Sequence, residues 1–502
     1  MSRPNFLVIV ADDLGFSDVG AFGSEIKTPN IDRLAYDGGL RFTDFHAAAA
    51  CSPTRSMLLS GTDNQFQKGK PGYEGYLNDR VAPLSEVLQD HGYKTYMSGK
   101  WHLGLSRDRW PVKRGFDRSY SLLPGAANHY GYEPQIEEGD NQPNILKSTP
   151  VFYVKDDKAI APKDLGKDFY STDRFGDKII ECLQDHKQDD PEKPFFAYLA
   201  FSAPHWPLQA PEADVDDYRG VYDNGPEHLR DQRLGKLKEL GLVPEHAVPH
   251  PTTSSRTMEV FAGMVQRMDY QIGRVIEQLE KTGDLDNTLI LFMSDNGAEG
   301  MLMEALPLIA GDIFAHVEKY YDNSLDNIGR GNSYVWYGPQ WANSSTAPSR
   351  LYKGFSSEGG IRVPFILRYP ALTAQKSQES NTEHSFATVM DIYPTLLQLA
   401  GASHPGKTYK GHEVAPVRGK SWVPYLTSAE AQIHDENSAV GWELFGRLAW
   451  ELFDLKADPG ELNDISEDNK EKLAELLSDW QEYVAEVGVV GQAPEYGTLV
   501  LD

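Results

Sequence analysis

Paired carboxylates, a cysteine followed by proline, and two short histidine-bearing blocks are the residues of this chain that could do chemistry. Asp12-Asp13 directly follows an apolar run at 6–10, and Asp295-Asn296-Gly297 follows a second at 289–293. Adjacent carboxylates at the end of a buried strand repel each other and resist desolvation unless a cation compensates them. Asp12, Asp13, Asp295 and Asn296 offer carboxylate and amide oxygens, a hard set that suits Ca²⁺ and, less easily, Mg²⁺. No histidine or thiolate need belong to it, which weighs against zinc. Taken alone, an Asp-Asp pair after a strand is just as well a helix cap.

Cys51-Ser52-Pro53-Thr54-Arg55 runs on to Ser60-Gly61. Pro53 is compatible with a helix opening just after Cys51, whose first N–H groups would aim at an anion. An inert, partly buried thiol at a helix start fits the same residues. In Gly99-Lys100-Trp101-His102-Leu103-Gly104, an extended backbone puts Lys100 and His102 on one side. Histidine changes charge near neutrality and is suited to moving a proton. The plain alternative is a lysine and a histidine on a solvated strand face. Ser202-Ala203-Pro204-His205-Trp206-Pro207 follows a third apolar run at 195–201, and Lys353 precedes Gly359-Gly360-Ile361-Arg362-Val363-Pro364.

Taken together these blocks resemble the sulfatase family, whose signature is Cys-x-Pro-x-Arg followed by Ser/Thr-Gly. The likeness covers nearly the whole chain and is strongest to cytosolic arylsulfatases of bacterial type, in the alkaline phosphatase-like superfamily. It implies that a formylglycine-generating enzyme oxidises Cys51 to formylglycine, an aldehyde that is hydrated at rest. Asp12, Asp13, Asp295, Asn296 and an oxygen on residue 51 would then hold one Ca²⁺. By the same resemblance Arg55 braces the diol, and Lys100 contacts both diol and sulfate. His102 takes the proton that triggers sulfate release, while His205, on the leaving-group side, and Lys353 contact the sulfate. A hydrated aldehyde carries two hydroxyls on one carbon. One attacks sulfur and expels the alcohol; deprotonating the other ejects sulfate, which divides one hard displacement into two easier ones. The implied activity is hydrolysis of a small sulfate monoester, an aryl sulfate above all. A phosphonate monoester or phosphodiester hydrolase of the same superfamily and an inactive binding homologue are the alternatives.

These residues need a scaffold that brings strand ends together. The runs at 6–10, 195–201 and 289–293 read as buried strands. Helical patterns lie between them. Thr28-Pro29 opens one as N-cap and first turn, another covers 171–186, and a third carries Phe261, Met264, Val265, Met268, Ile272, Val275, Ile276 and Leu279 at helical spacing. Alternating strands and helices imply an α/β fold, a large mostly parallel or mixed central sheet flanked by helices. Its strand ends share one carboxyl edge, where sites form. Stretches 104–168, 202–256 and 329–350 read as long irregular loops lining the site, with the aromatic segment 334–341 as a pocket wall. Segment 375–383 reads as a surface loop, followed by a helix with Pro394 early and Gly401 as its stop.

We place the catalytic domain at 1–401 and a small α+β C-terminal domain at 402–502, an antiparallel sheet plus a helix over 470–487. By family analogy a strand is missing near 447–450, where Leu448-Ala449-Trp450-Glu451 runs almost directly into Leu452-Phe453-Asp454-Leu455. A smaller C-terminal sheet is therefore expected. The 502 residues carry a net charge of −26, which argues against nucleic acid or an anionic membrane as partner. It also requires cations and a metal to reverse the field inside an anion site. Two cysteines give no disulfide framework, and Cys182 sits in an apolar helical stripe. The opening apolar run, broken at once by Asp12-Asp13, is too short for a signal peptide, and no stretch is long enough for a membrane span. A cytoplasmic protein is expected.

Overall fold

Side chains of β1 (Asn5–Ala11) alternate between two apolar clusters, Leu7, Ile9 and Ala11 on one side and Phe6, Val8 and Val10 on the other. A strand covered on both faces reads as an unbroken apolar run, which is why no polar alternation marks it. The computed structural model describes residues 3–67, 77–135, 151–246, 256–301, 310–428, 430–444 and 450–489. It places β1 inside a mixed sheet of ten strands among those residues. Their order is β11 (Thr382–Glu383), β2 (Gly39–Phe42), β10 (Phe365–Arg368), β9 (Thr288–Ser294), β1, β8 (Phe195–Ala200), β4 (Lys94–Lys100), β5 (Arg118–Leu122), β6 (Tyr153–Lys155), β7 (Lys158–Ile160). From β9 to β5 the strands run parallel, with Val8 between Tyr198 and Leu291. β10 lies antiparallel to both β9 and β2, and β5, β6 and β7 form antiparallel neighbours. Short pairs, β3 (Phe45–His46) with β12 (Ala387–Thr388) and β13 (Thr408–Tyr409) with β14 (His412–Glu413), stand apart.

Helix Arg256–Thr282 buries the whole stripe from Phe261 to Leu279 against one face, together with Phe175, Ile179 and Cys182 of helix Ser171–Asp189. Met57, Leu58 and Leu59 of helix Cys51–Ser60 cover the other face, with Leu396 and Leu397 of helix Ile392–Ala400. Gly401, at φ 67°, ends that last helix in the left-handed conformation.

The stretches read as irregular hold regular elements. Segment 104–168 contains β5, β6 and β7; 202–256 contains helix Gly225–Glu239; 329–350 contains helix Gly338–Ser345. Segment 375–383 is not a loop but the end of helix Pro370–Glu379 followed by β11. Helix Gly225–Glu239 hides from a hydrophobic pattern because two of its buried positions are Arg230 and Arg233. The aromatic segment also divides. Tyr337 stacks on Phe261 at 4.9 Å and Trp341 meets Tyr222 at 5.7 Å in the core, while Tyr334 meets Trp206, beside His205, at 6.0 Å. Thr28 precedes helix Pro29–Tyr36, yet its hydroxyl donates to Asp32 instead of capping the helix.

Beyond 402 the described residues hold the two-stranded β13–β14 pair and helix Lys470–Val487. Of residues 447–450, near which a strand was expected to be missing, 447–449 lie outside the described residues. Trp422 carries the chain back onto the sheet core, 5.2 Å from Phe365 and 6.1 Å from Phe42. No helix among the described residues is long and apolar enough to cross a membrane.

Because Trp422 is fully buried among these rings, Trp422→Ala is expected to cost about 3–5 kcal/mol in urea unfolding. A loss under about 1 kcal/mol would show that this segment does not share the sheet's core.

Candidate active site

Four parallel strands deliver side chains to one edge. Asp12 and Asp13 close β1, Lys100 ends β4, His205 follows β8, and Asp295 and Asn296 follow β9. Cys51 opens helix Cys51–Ser60, and Lys353 comes from the turn ahead of β10. Close backbone approach makes this edge possible. A Cβ on Gly99 would lie 1.7 Å from the Ala200 carbonyl oxygen, and one on Gly297 would lie 1.8 Å from that of Gly359. Asp13 and His102 adopt positive φ, 67° and 54°, a strained backbone for residues with a Cβ. β4 therefore stops at Lys100, and the extended geometry expected through His102 does not continue. Ser52 holds His102 there, its hydroxyl donating to the His102 carbonyl at 2.8 Å.

Inside the cluster every carboxylate meets a cation. Lys100 Nζ lies 2.8 and 2.6 Å from the two Asp12 oxygens. Arg55 donates to Asp295 Oδ2 through Nε at 2.9 Å and Nη2 at 2.6 Å, and to the Lys100 carbonyl at 3.1 Å. Lys353 Nζ bridges Asp13 Oδ1 at 2.9 Å and Glu299 Oε2 at 2.8 Å. Asp12, Asp13, Asp295 and Cys51 each present an atom within 4.8 Å of the others. Asn296 donates to Asp13 Oδ1 at 2.7 Å, which leaves its own buried Oδ1 without a hydrogen-bond partner. Four carboxylates thus face three cations, and an oxygen acceptor stands unused among them. That donor set, rich in oxygen and short of positive charge, fits a hard dication.

Burial raises Asp12 well above the usual carboxylate range, with Lys100 opposing it and Asp295 and Asp13 adding to it. Burial likewise pushes the Cys51 thiol up against the pull of Lys100 and Lys353. His102 is driven well below its ordinary value by burial and then by Lys100 and Arg55; His205 by burial and then by Lys353 and Lys100. Lys353 keeps its proton well above the lysine range: burial works against it, and Asp13, Cys51 and Glu299 outweigh that. His205 Nδ1 sits 2.6 Å from the Trp206 carbonyl, which can only accept, so that nitrogen carries the hydrogen. Nε2 therefore faces Asp13 Oδ2, 3.4 Å away.

The structure brings together Cys51, Arg55, Lys100, His205, Lys353, Asp12, Asp13, Asp295 and Asn296, with His102 at their rim. Arg55, taken from sequence as a brace for residue 51, spends its fork on Asp295. Sequence reasoning missed Glu299 and His129. A lone glutamate two residues past Gly297 carries no motif, although its register after Asp295 could have drawn attention. His129 is fully buried and pairs with the His205 carbonyl at 3.0 Å and the Ser171 hydroxyl at 2.8 Å. Burial lowers it to about 4, so it is neutral and acts as a fixed donor. A roomy cavity of about 490 Å³, lined by Tyr130, Arg219, Arg256 and Arg330 among others, contains none of the cluster residues. Charge convergence, not concavity, marks the site.

Residues 4–402 match the family described as Sulfatase. The chain is 48% identical to an uncharacterised sulfatase of Schizosaccharomyces pombe over 97% of its own length and 94% of that protein. It is 35% identical to an arylsulfatase of Klebsiella aerogenes, covering 84% of this chain and 91% of the relative. Among solved structures it is similar to Ps i-CgsB in complex with k-i-k-neocarrahexaose, at TM-score 0.69 and 25% identity over 96% and 93% of the two chains.

Removing the Arg55 charge leaves Asp295 buried beside Asp12 with its main partner gone. Arg55→Met is expected to destabilise metal-free protein by about 3–5 kcal/mol in urea unfolding under chelator. A change below about 1 kcal/mol would mean that the fork does not hold the cluster together.

Proposed function

The chain belongs to the sulfatase family and is a sulfuric ester hydrolase, and on that premise we propose that it is an arylsulfatase using formylglycine made from Cys51, with one bound Ca²⁺. The observation that carries this reading is the convergence of Asp12, Asp13, Asp295 and Cys51 within 4.8 Å, beside the unpartnered Asn296 oxygen. Asp12, Asp13, Asp295, Asn296 and an oxygen on the modified residue 51 would hold the ion. Hydrated formylglycine supplies two hydroxyls on one carbon, and Ca²⁺ supplies positive charge that polarises the ester and the nucleophile. A formylglycine-generating enzyme is the maturation partner.

The remaining work falls to the chain's own side chains. Lys100 and Lys353 stand on Asp12 and Asp13 and offer ammonium hydrogens to a sulfate at the same edge. Arg55 holds Asp295 and, through its bond to the Lys100 carbonyl, the end of β4. His102, neutral because of burial and its cationic neighbours, is ready to accept the proton whose removal releases sulfate. His205 presents Nε2 to the site while Trp206 and His129 fix its ring and backbone. A bound anion supplies the negative charge that favours protonated His205, the form that donates to a leaving aryloxide.

Mass analysis of the peptide bearing residue 51 should show sulfur replaced by aldehyde oxygen in active protein. Unconverted protein and Cys51→Ala should both lose at least about 10³-fold in aryl sulfate turnover. Full turnover by an intact thiol would overthrow the reading. Lys353→Ala and His205→Ala should fall by about 10² to 10³ in kcat. His205→Ala should keep its melting temperature, whereas Lys353→Ala, which leaves buried Asp13 and Glu299 uncompensated, should lower it. Chelation should abolish turnover and lower the melting temperature, and Ca²⁺ at about 100 times its Kd should return about 2.7 kcal/mol of stability. Paired aryl sulfate and aryl phosphonate esters decide between this reading and a phosphonate hydrolase.

A further inference from the structure

Glu299 is left without a task by the site as described. Its side chain is buried, with Oε2 2.8 Å from Lys353 Nζ and Oε1 accepting the Met301 N–H at 2.8 Å. The Lys353 N–H donates to the Ala298 carbonyl at 3.0 Å, and the Gly354 N–H donates to that of Ala49 at 2.7 Å. These bonds fasten the Lys353 turn to the Glu299 segment on one side and to the approach to Cys51 on the other. Lys353 is already compensated by Asp13 at 2.9 Å. A second carboxylate on the same ammonium is therefore not needed for charge balance, and it weakens the pull of this site on any anion.

Tetrahedral sulfate and phosphate monoesters nearly match in shape, so a pocket separates them poorly by contact alone. Charge separates them, since a sulfate monoester carries one negative charge and a phosphate monoester two above its second ionisation. With a dication present, Asp12, Asp13, Asp295 and Glu299 against Arg55, Lys100 and Lys353 leave one net positive charge, which a singly charged ester neutralises. We infer that Glu299 is a specificity-determining residue, holding the field around Lys353 at the level that favours a singly charged tetrahedral ester over a doubly charged one. It acts through Lys353 and the local field, without touching the ester. The inference rests on the sulfate-ester reading of this site.

The test compares binding of benzenesulfonate and phenylphosphonate to mature, calcium-loaded protein by calorimetry, at a pH above the second phosphonate ionisation. Neither probe is turned over. Glu299→Gln keeps the shape while removing the charge, its single amide oxygen accepting from either the Lys353 ammonium or the Met301 N–H. It should raise the phosphonate-to-sulfonate affinity ratio at least about tenfold, as one fewer unit charge a few ångströms away requires in a poorly solvated site. Glu299→Asp, which keeps the charge, should stay within about threefold of the unaltered protein. The ratio of kcat/KM for aryl phosphate over aryl sulfate should move with the binding ratio. A Glu299→Gln ratio within about twofold of the unaltered protein overturns the inference. Glu299→Ala, read the same way, decides if the glutamine variant does not fold. Failure of the unaltered protein to hydrolyse aryl sulfates would sink the arylsulfatase reading instead, and leaves the binding ratio as a separate answer.

Discussion

Three fully buried carboxylates at the ends of neighbouring parallel strands cannot be left alone, and the rest of the site answers that constraint. Asp12, Asp13 and Asp295 are each at most 1% exposed, and nothing apolar around them could solvate their charge. The chain meets this with cations drawn from three distant places: Arg55 from a helix, Lys100 from β4, Lys353 from a turn before β10. Each cation is in turn buried and depends on its carboxylate. Removing either side of any pair leaves an uncompensated charge, which costs more than the pair contributes. The cluster is thus held as a unit, and a catalytic geometry comes with it.

Backbone features show how tightly the edge is drawn. Gly99 and Gly297 let strand and turn backbones approach to distances that any side chain would forbid. Asp13 and His102 accept left-handed backbone to aim their side chains inward. Strain of this kind is sustained by the surroundings: the Asp13 N–H meets Asp295 Oδ1, and the His102 carbonyl takes the Ser52 hydroxyl. His205 is fixed from behind by His129, whose backbone N–H donates to Gln209 Oε1, and the Gln209 amide in turn donates to the Ser333 carbonyl at 2.8 Å. Loops that look long in sequence are pinned together just under the site.

What could be read from sequence follows from what each element buries. β1, β8 and β9 bury both faces in apolar clusters and are written as apolar runs, so they were legible, as was the stripe of helix Arg256–Thr282. β4 was not. Its buried Thr95 and Ser98 are satisfied by Asp117 and by the Phe175 carbonyl, so the strand looks polar. Helix Gly225–Glu239 was hidden for a related reason, since Arg233 is buried on Asp18 and Glu25 instead of on apolar side chains. Residues of the candidate site were legible because they stand in compact blocks next to strand ends. Glu299 and His129 were not, because each acts through a partner distant in sequence or in a different loop.

An acidic chain with an anion site resolves its contradiction over a few ångströms. The net charge of −26 is spread over a solvated surface, where screening confines each charge to its neighbourhood. Within the cluster the charged side chains are buried, and each charge acts on the next with much less screening than at the surface. The local sum therefore decides what binds, and it is set by a handful of groups whose balance is close: four carboxylates against Arg55, Lys100 and Lys353. Close balance is what makes the site responsive. On the proposed reading one dication would turn it from repelling an anion to holding one, and one additional carboxylate would temper how much negative charge it holds. A strongly basic pocket would bind sulfate esters too, but it would hold multiply charged anions more firmly and release inorganic sulfate poorly. The near-cancellation among these seven side chains is the physical property that suits the edge to binding a singly charged ester and letting its product go.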